Sequence, residues 1–222
     1  MLVSHDKKFI YIKTVKTAGT SMEVALQDYC LPPDVDLPVE NVASETVESE
    51  HGIVGARGPN VAASNRWYNH MPARQIKDQL PEEIWNGYCK ICNIRNPWDK
   101  TVSWFHFRNP EVKSKPQDEI VAEFRKFLTP ANPENLSVGL DTHIYFIGDK
   151  PVADEYIRYD SMAEDYARIC EKLGLDAKAV PELKRGPRGS KTIHYSEYYD
   201  DQLRDLVAKL YAKEIAAFGW TF

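Results

Sequence analysis

A short apolar run, Phe9-Ile10-Tyr11-Ile12, is followed almost at once by Lys16-Thr17-Ala18-Gly19-Thr20-Ser21 and then by the helical pattern Met22-Glu23-Val24-Ala25-Leu26. This order restricts what the chain can fold into, because it reads as a strand, a tight turn and the first turns of a helix. Such a junction makes an anion cradle. The backbone N–H groups of the turn and of the helix N-terminus face outward, Gly19 lets the backbone approach closely, and Lys16 adds a point charge. It is not a Walker A loop, in which Lys follows the last Gly, since here Lys16 precedes Gly19.

A second junction lies downstream. Tyr88-Cys89-Lys90-Ile91-Cys92-Asn93-Ile94 reads as a buried strand and runs into Arg95-Asn96-Pro97-Trp98-Asp99-Lys100-Thr101-Val102-Ser103. Pro97 suits the first turn of a helix, which leaves Arg95 at the carboxyl end of the strand. An Arg fork there can bind a phosphate through two N–H groups, and the Ser103 hydroxyl can add a third bond.

Together the two segments resemble the sulfotransferases that use 3′-phosphoadenosine 5′-phosphosulfate (PAPS). The match is K-T-A-G-T-S behind the first strand and R-N-P-W-D-K-T-V-S behind a central one. Tyr156-Ile157-Arg158-Tyr159-Asp160 and the tail from His194 to Trp220 also look like carbohydrate-type and bacterial members. Val15 stands where the family commonly has Pro. The resemblance implies a P-loop NTPase-like sulfotransferase fold. It implies that Lys16, Thr17, Ala18, Gly19, Thr20 and Ser21 hold the 5′-phosphosulfate, while Arg95 and Ser103 hold the 3′-phosphate. The cosubstrate would be PAPS, the product 3′,5′-adenosine bisphosphate, with no metal. The basic run Lys184 to Lys191 reads either as a loop closing over the 3′-phosphate, with Arg188 and Lys191 as its contacts, or as a solvated linker.

Sulfuryl transfer has a loose in-line transition state, so positioning and charge stabilisation carry most of it, and Lys16 would neutralise the departing phosphate. The acceptor hydroxyl or amine must lose a proton, which calls for a general base. Of the six histidines, His70 at the mouth of a Pro-started helix matches the place where related members carry an acceptor-side His. His51, in the Gly-rich His51-Gly52-Ile53-Val54-Gly55 loop, is second. Glu23 or another carboxylate is the alternative base. His143 and His194 remain as packing or cofactor-side residues.

The remaining pattern is an alternation of strands and helices over 222 residues, enough for one α/β domain spanning 1–222. The expectation is a three-layer sandwich with a mostly parallel central sheet flanked by helices, its ligands at the carboxyl ends of the strands. Residues 31–69 read as a loop or insertion, with Glu45, Glu48 and Glu50 as a solvated acidic face. A short helix is expected between Pro72 and Pro81, and an amphipathic one from Asp118 to Leu128. His143 to Gly148 could be strand or helix end. Ser161-Met162-Ala163-Glu164 has the form of a capping box before a helix that stops at Gly174, and a last helix runs to Phe218.

Composition narrows the partners. A formal net charge of -5 argues against nucleic acid. No apolar stretch approaches the roughly 20 residues of a membrane span, and the start lacks a signal-peptide core, which together suggest a cytoplasmic protein. Cys89 and Cys92 would point to opposite faces of a strand, so they read as reduced core thiols rather than metal ligands. The acceptor, a glycan or small metabolite among the options, and the oligomeric state are not encoded in these motifs. Two other classes stay open: a P-loop-like nucleotide kinase or NTPase, and a non-catalytic nucleotide-binding homologue.

Overall fold

The computed structural model describes residues 1–35, 37, 43–129, 140–181 and 193–222. Arg188 and Lys191, with the basic run around them, lie outside the described residues. The chain divides into two compact units, Met1–Ile94 with His143–Leu183, and Arg95–Thr142 with Lys184–Phe222.

The first unit is built on a six-stranded sheet. Its strands are β1 (Leu2–Ser4), β2 (Phe9–Ile12), β3 (Val47–Glu48), β4 (Gly52–Val54), β5 (Cys89–Ile94) and β8 (Glu155–Arg158), in the order β3-β4-β1-β2-β5-β8. The pairs β2–β5 and β5–β8 are parallel, whereas β1–β2, β1–β4 and β3–β4 are antiparallel. The sheet is therefore mixed, which corrects the expectation of a mostly parallel one. The cause is connection length: only His5 to Lys8 separate β1 from β2, far short of the dozen or so residues a parallel crossover needs. Lys8 turns this corner in the left-handed region, at φ 52°. Residues 31–69 are also more than a loop, since β3 and β4 within them extend the sheet along β1.

Both faces of the central strands are buried. Phe9 and Tyr11 of β2, Leu2, Val54, Ile91 and Ile157 pack in one cluster with α1 (Gly19–Gln27) through Met22, Ala25 and Leu26, and with Tyr166, Ile169 and Cys170. The alternate residues Ile10, Ile12 and Cys92 are fully buried as well, so β2 reads as an unbroken apolar run rather than an alternating one, whereas β5 carries the buried polar residues Lys90 and Asn93. At about 2 kcal/mol for each large apolar side chain removed from water, these strands supply much of the unit's cohesion. Cys89 and Cys92 do fall on opposite faces of β5, and all four cysteines are free thiols.

Pro72 and Pro81 open two successive helices, α2 (Ala73–Gln79) and α3 (Glu82–Gly87). The 143–148 segment takes both of its readings: α6 (Thr142–Tyr145) passes directly into β6 (Phe146–Ile147), which pairs with β7 (Lys150–Pro151). Then α7 (Met162–Leu173) ends at Gly174, with φ 60°, and Leu175 N–H closes the turn on Cys170 O at 2.8 Å. The capping box does not form at its start. The Ser161 hydroxyl instead donates to Asp165 Oδ2 at 3.0 Å, and the same oxygen accepts Arg158 N–H at 3.0 Å.

The second unit holds α4 (Pro97–Arg108), α5 (Gln117–Phe127), a 3-10 turn at Tyr195–Tyr198, α8 (Asp201–Leu210) and α9 (Ala212–Phe218). Its core is aromatic: Phe105, Phe124, Tyr198 and Tyr199 meet edge to face at 5.0–5.4 Å. The last helix is broken at Tyr211 rather than continuous, and its buried stripe runs Leu203, Val207, Tyr211, Glu214, leaving Ala217 exposed. Among the described residues no helix is long and apolar enough to cross a membrane.

Candidate functional site

β2 and β5 are parallel neighbours with Ile12 opposite Cys92, so residues 13–18 leave the sheet at its carboxyl edge. The turn that follows is tight. Lys16 and Ala18 both adopt the left-handed conformation, at φ 60° and 61°, a region that non-glycine residues enter at a cost of about 1–2 kcal/mol each. Alternation of left-handed and right-handed residues turns successive N–H groups towards one side, the concavity known as a nest. Directly behind it α1 begins without any side-chain cap and with no acidic residue in its first turn, and its own bonding starts only where Met22 N–H reaches Ala18 O at 3.2 Å. A helix start of this kind carries partial positive charge and suits an anion.

Gly19 is required by space. A Cβ there would lie 2.9 Å from Lys13 Cγ and 3.2 Å from Thr14 O. The turn is pinned from below by hydroxyls and one amide. Thr14 Oγ1 donates to Asn93 O at 2.6 Å and meets Thr17 Oγ1 at 2.8 Å. Asn93 Nδ2 donates to Thr17 O at 3.1 Å, and the Tyr11 hydroxyl donates to Asn93 Oδ1 at 2.9 Å.

Beneath this turn lies a buried ionic cluster. Glu23, with no exposed surface, accepts from Lys13 Nζ at 2.6 Å and from the Met1 amine at 2.8 Å, with Arg57 Nε at 3.9 Å. Burial alone would raise the Glu23 carboxyl, but the Met1 and Lys13 charges outweigh it and hold the pKa at about 2. Glu23 is therefore an ionised anchor and unsuited to accept a proton from a substrate, which removes it as the alternative base. Arg57 donates to Gln27 Oε1 at 2.7 Å through Nη1, while its buried Nε and Nη2 have no hydrogen-bond partner among the described residues. Burial pulls the Met1 amine pKa down, but Lys13 and Arg57 together still outweigh the one Glu23 carboxylate and leave a cationic floor at the turn.

His70 comes to the same turn. Its Nδ1 lies 3.2 Å from Lys13 O. A carbonyl oxygen only accepts, so Nδ1 carries the proton and Nε2 is the basic nitrogen of the neutral ring. His51 does not join it. Gly52 pairs with Ser4, and Ser4 with Phe9, which places His51 at the amino end of β2, the opposite edge of the sheet. There its Nδ1 bonds Asp6 Oδ2 at 2.8 Å, and that bond raises the imidazole pKa.

In the second unit, Asn96 caps α4 by accepting Trp98 N–H at 3.1 Å, and Pro97 occupies the first turn. Arg95 is buried, with Nε donating to Asp99 Oδ2 at 2.5 Å. Ser103 is buried on α4 within the same unit. His106, on the same helix, bonds the Tyr198 hydroxyl at 2.9 Å and belongs to the aromatic core. His194 is exposed and bonds Ser196 Oγ at 2.7 Å.

Lys13, Arg57 and Asn93 carry no motif and were not legible as site residues. The available signal was a polar side chain inside a run that otherwise reads as buried strand, as Asn93 is in Cys89–Ile94, because a buried amide must find partners.

No family model matches the chain, and no solved structure matches it. Over 106 residues, 47% of the chain, it is 26% identical to an uncharacterized protein of Archaeoglobus fulgidus, 83% of which is covered.

Proposed function

We propose that the protein is a PAPS-dependent sulfotransferase of P-loop-like fold, moving a sulfuryl group to a hydroxyl or amine acceptor such as a glycan or small metabolite. The observation that carries this reading is the K-T-A-G-T-S turn itself: a strand-to-helix junction with two left-handed residues, an uncapped helix start and a cationic floor. That arrangement favours a doubly charged phosphosulfate and needs no metal to hold it. In this reading Lys16, Thr17, Ala18, Gly19, Thr20 and Ser21 bind the 5′-phosphosulfate, and Arg95 and Ser103 the 3′-phosphate, as the two motifs imply.

The chemistry is an in-line displacement at sulfur. The bond from sulfur to the 5′-phosphate oxygen breaks, the bond to the acceptor oxygen or nitrogen forms, and the acceptor proton passes to His70 Nε2. Lys16 neutralises the charge that grows on the departing phosphate oxygen. His70 is preferred as base over His51 because it is the one at the turn.

Incubation with sulfur-labelled PAPS and a panel of hydroxyl and amine acceptors tests the proposal. Transfer should fall by roughly 10²–10⁴-fold in His70→Asn, which keeps a donor for Lys13 O but removes the base, with bisphosphate affinity nearly unchanged. Magnesium-dependent ATP hydrolysis without PAPS consumption would instead establish the nucleotide kinase or NTPase reading.

A further inference from the structure

We infer that Asn93 is the positioning residue of the anion-binding turn, and that the donor it aims is the Ala18 N–H. The argument starts from the Asn93 side chain, which has no exposed surface and uses both ends of its amide. Thr17 O can only accept, so the Nδ2 end must face it, at 3.1 Å. Oδ1 then faces the Tyr11 hydroxyl at 2.9 Å, which fixes the amide against rotation.

The consequence follows from peptide geometry. Thr17 C=O and Ala18 N–H belong to one planar trans peptide and point in opposite directions. A carbonyl drawn inward to Asn93 therefore sends Ala18 N–H outward, away from β5. The peptide joins Thr17 to the left-handed Ala18, with the left-handed Lys16 one residue earlier, and strained backbone of this kind relaxes or flips unless its surroundings hold it. Asn93 and the Thr14–Thr17 hydroxyl pair supply that hold. With the Asn93 donor removed, a flip of this peptide would present the Thr17 carbonyl to the ligand in place of an N–H, changing attraction into repulsion.

The identity of the anion rests on the sulfotransferase reading, whereas the aiming of Ala18 N–H does not. The Asn93→Asp variant separates this role from simple packing. The ionised carboxylate repels Thr17 O, while the protonated acid donates to it and restores the bond. Bisphosphate affinity, taken as the ratio to wild type at each pH, should be at least 10-fold weaker at pH 8 and recover as the pH is lowered towards 5. A merely structural role gives a ratio that does not change with pH.

The companion readout is the Ala18 amide resonance of the nitrogen-labelled full chain, titrated with 3′,5′-adenosine bisphosphate and separately with inorganic pyrophosphate. Wild type should show the Ala18 amide moving with ligand, and Asn93→Asp at pH 8 should not. Should Asn93→Asp fail to fold, Tyr11→Phe, which frees the amide to rotate, should weaken binding about 3- to 10-fold. An Ala18 shift with pyrophosphate but not bisphosphate would uphold the inference and remove the cofactor reading. No Ala18 shift with either ligand, or variants that bind like wild type at every pH, would overturn it.

Discussion

Glu23 shows how much a single side chain can carry here. Its carboxyl pKa of about 2, against 4.5 ordinarily, means that the folded state favours the ionised form. The associated stability is present above pH of about 4.5 and is lost as the pH falls towards 2; the shift corresponds to about 3 kcal/mol. Glu23→Gln should cost about 3–5 kcal/mol at neutral pH, because Lys13 and Arg57 would stay buried without their counter-charge. Denaturant titration at pH 7 checks this, and a loss under 1 kcal/mol would contradict it. Gly19→Ala should destabilise by about 1–3 kcal/mol, since the added methyl meets the Thr14 carbonyl and Lys13 stem. The Gly and hydroxyls of this turn announce themselves in sequence because they have few other uses at a strand-to-helix junction. Lys13, Arg57 and Asn93 do not, because their partners lie far along the chain and only folding brings them together.

At the level of elements, α2, α4 and α5 follow from local signals: flanking or first-turn Pro, an Asn cap, apolar residues at helical spacing. In contrast α3, which Pro81 opens rather than the chain simply stopping there, was not among the expected helices. The antiparallel half of the sheet does not follow from local signals either, because β1, β3 and β4 are two or three residues long, too short to display a period. Their existence depends on pairing with one another and with β2. The same dependence explains α9, where the buried stripe continues through Glu214 because its partners, not its polarity, decide the face. Burial pushes the Glu214 carboxyl pKa up despite a bond from the Thr142 hydroxyl and the nearby Lys100 ammonium. A raised folded pKa means that Glu214 favours the fold fully below its unfolded pKa, and that this advantage is lost as pH rises through the folded value. Glu214→Gln, which stays neutral, should therefore gain in melting temperature relative to wild type between pH 4.5 and pH 8. A difference that does not change with pH would contradict the assignment.

Over the whole molecule the net charge is -5, so a polyanionic ligand must be held by local cations and oriented N–H groups against an unfavourable overall field. Affinity for the bisphosphate should therefore depend on the Lys16 and Arg95 charges and weaken with added salt, though buried groups such as Lys13 are screened little. The α/β class was legible from the alternation of patterns, while the cofactor reading rests on two short motifs and stands as a proposal. The pairing of half the sheet was settled by contacts that no local pattern encodes. Calorimetric titration with 3′,5′-adenosine bisphosphate, beside AMP and ATP with magnesium, tests the central proposal most directly. The account predicts a clear preference for the bisphosphate that is lost in Lys16→Ala and in Arg95→Ala; no binding of the bisphosphate, or tighter binding of ATP, would contradict it.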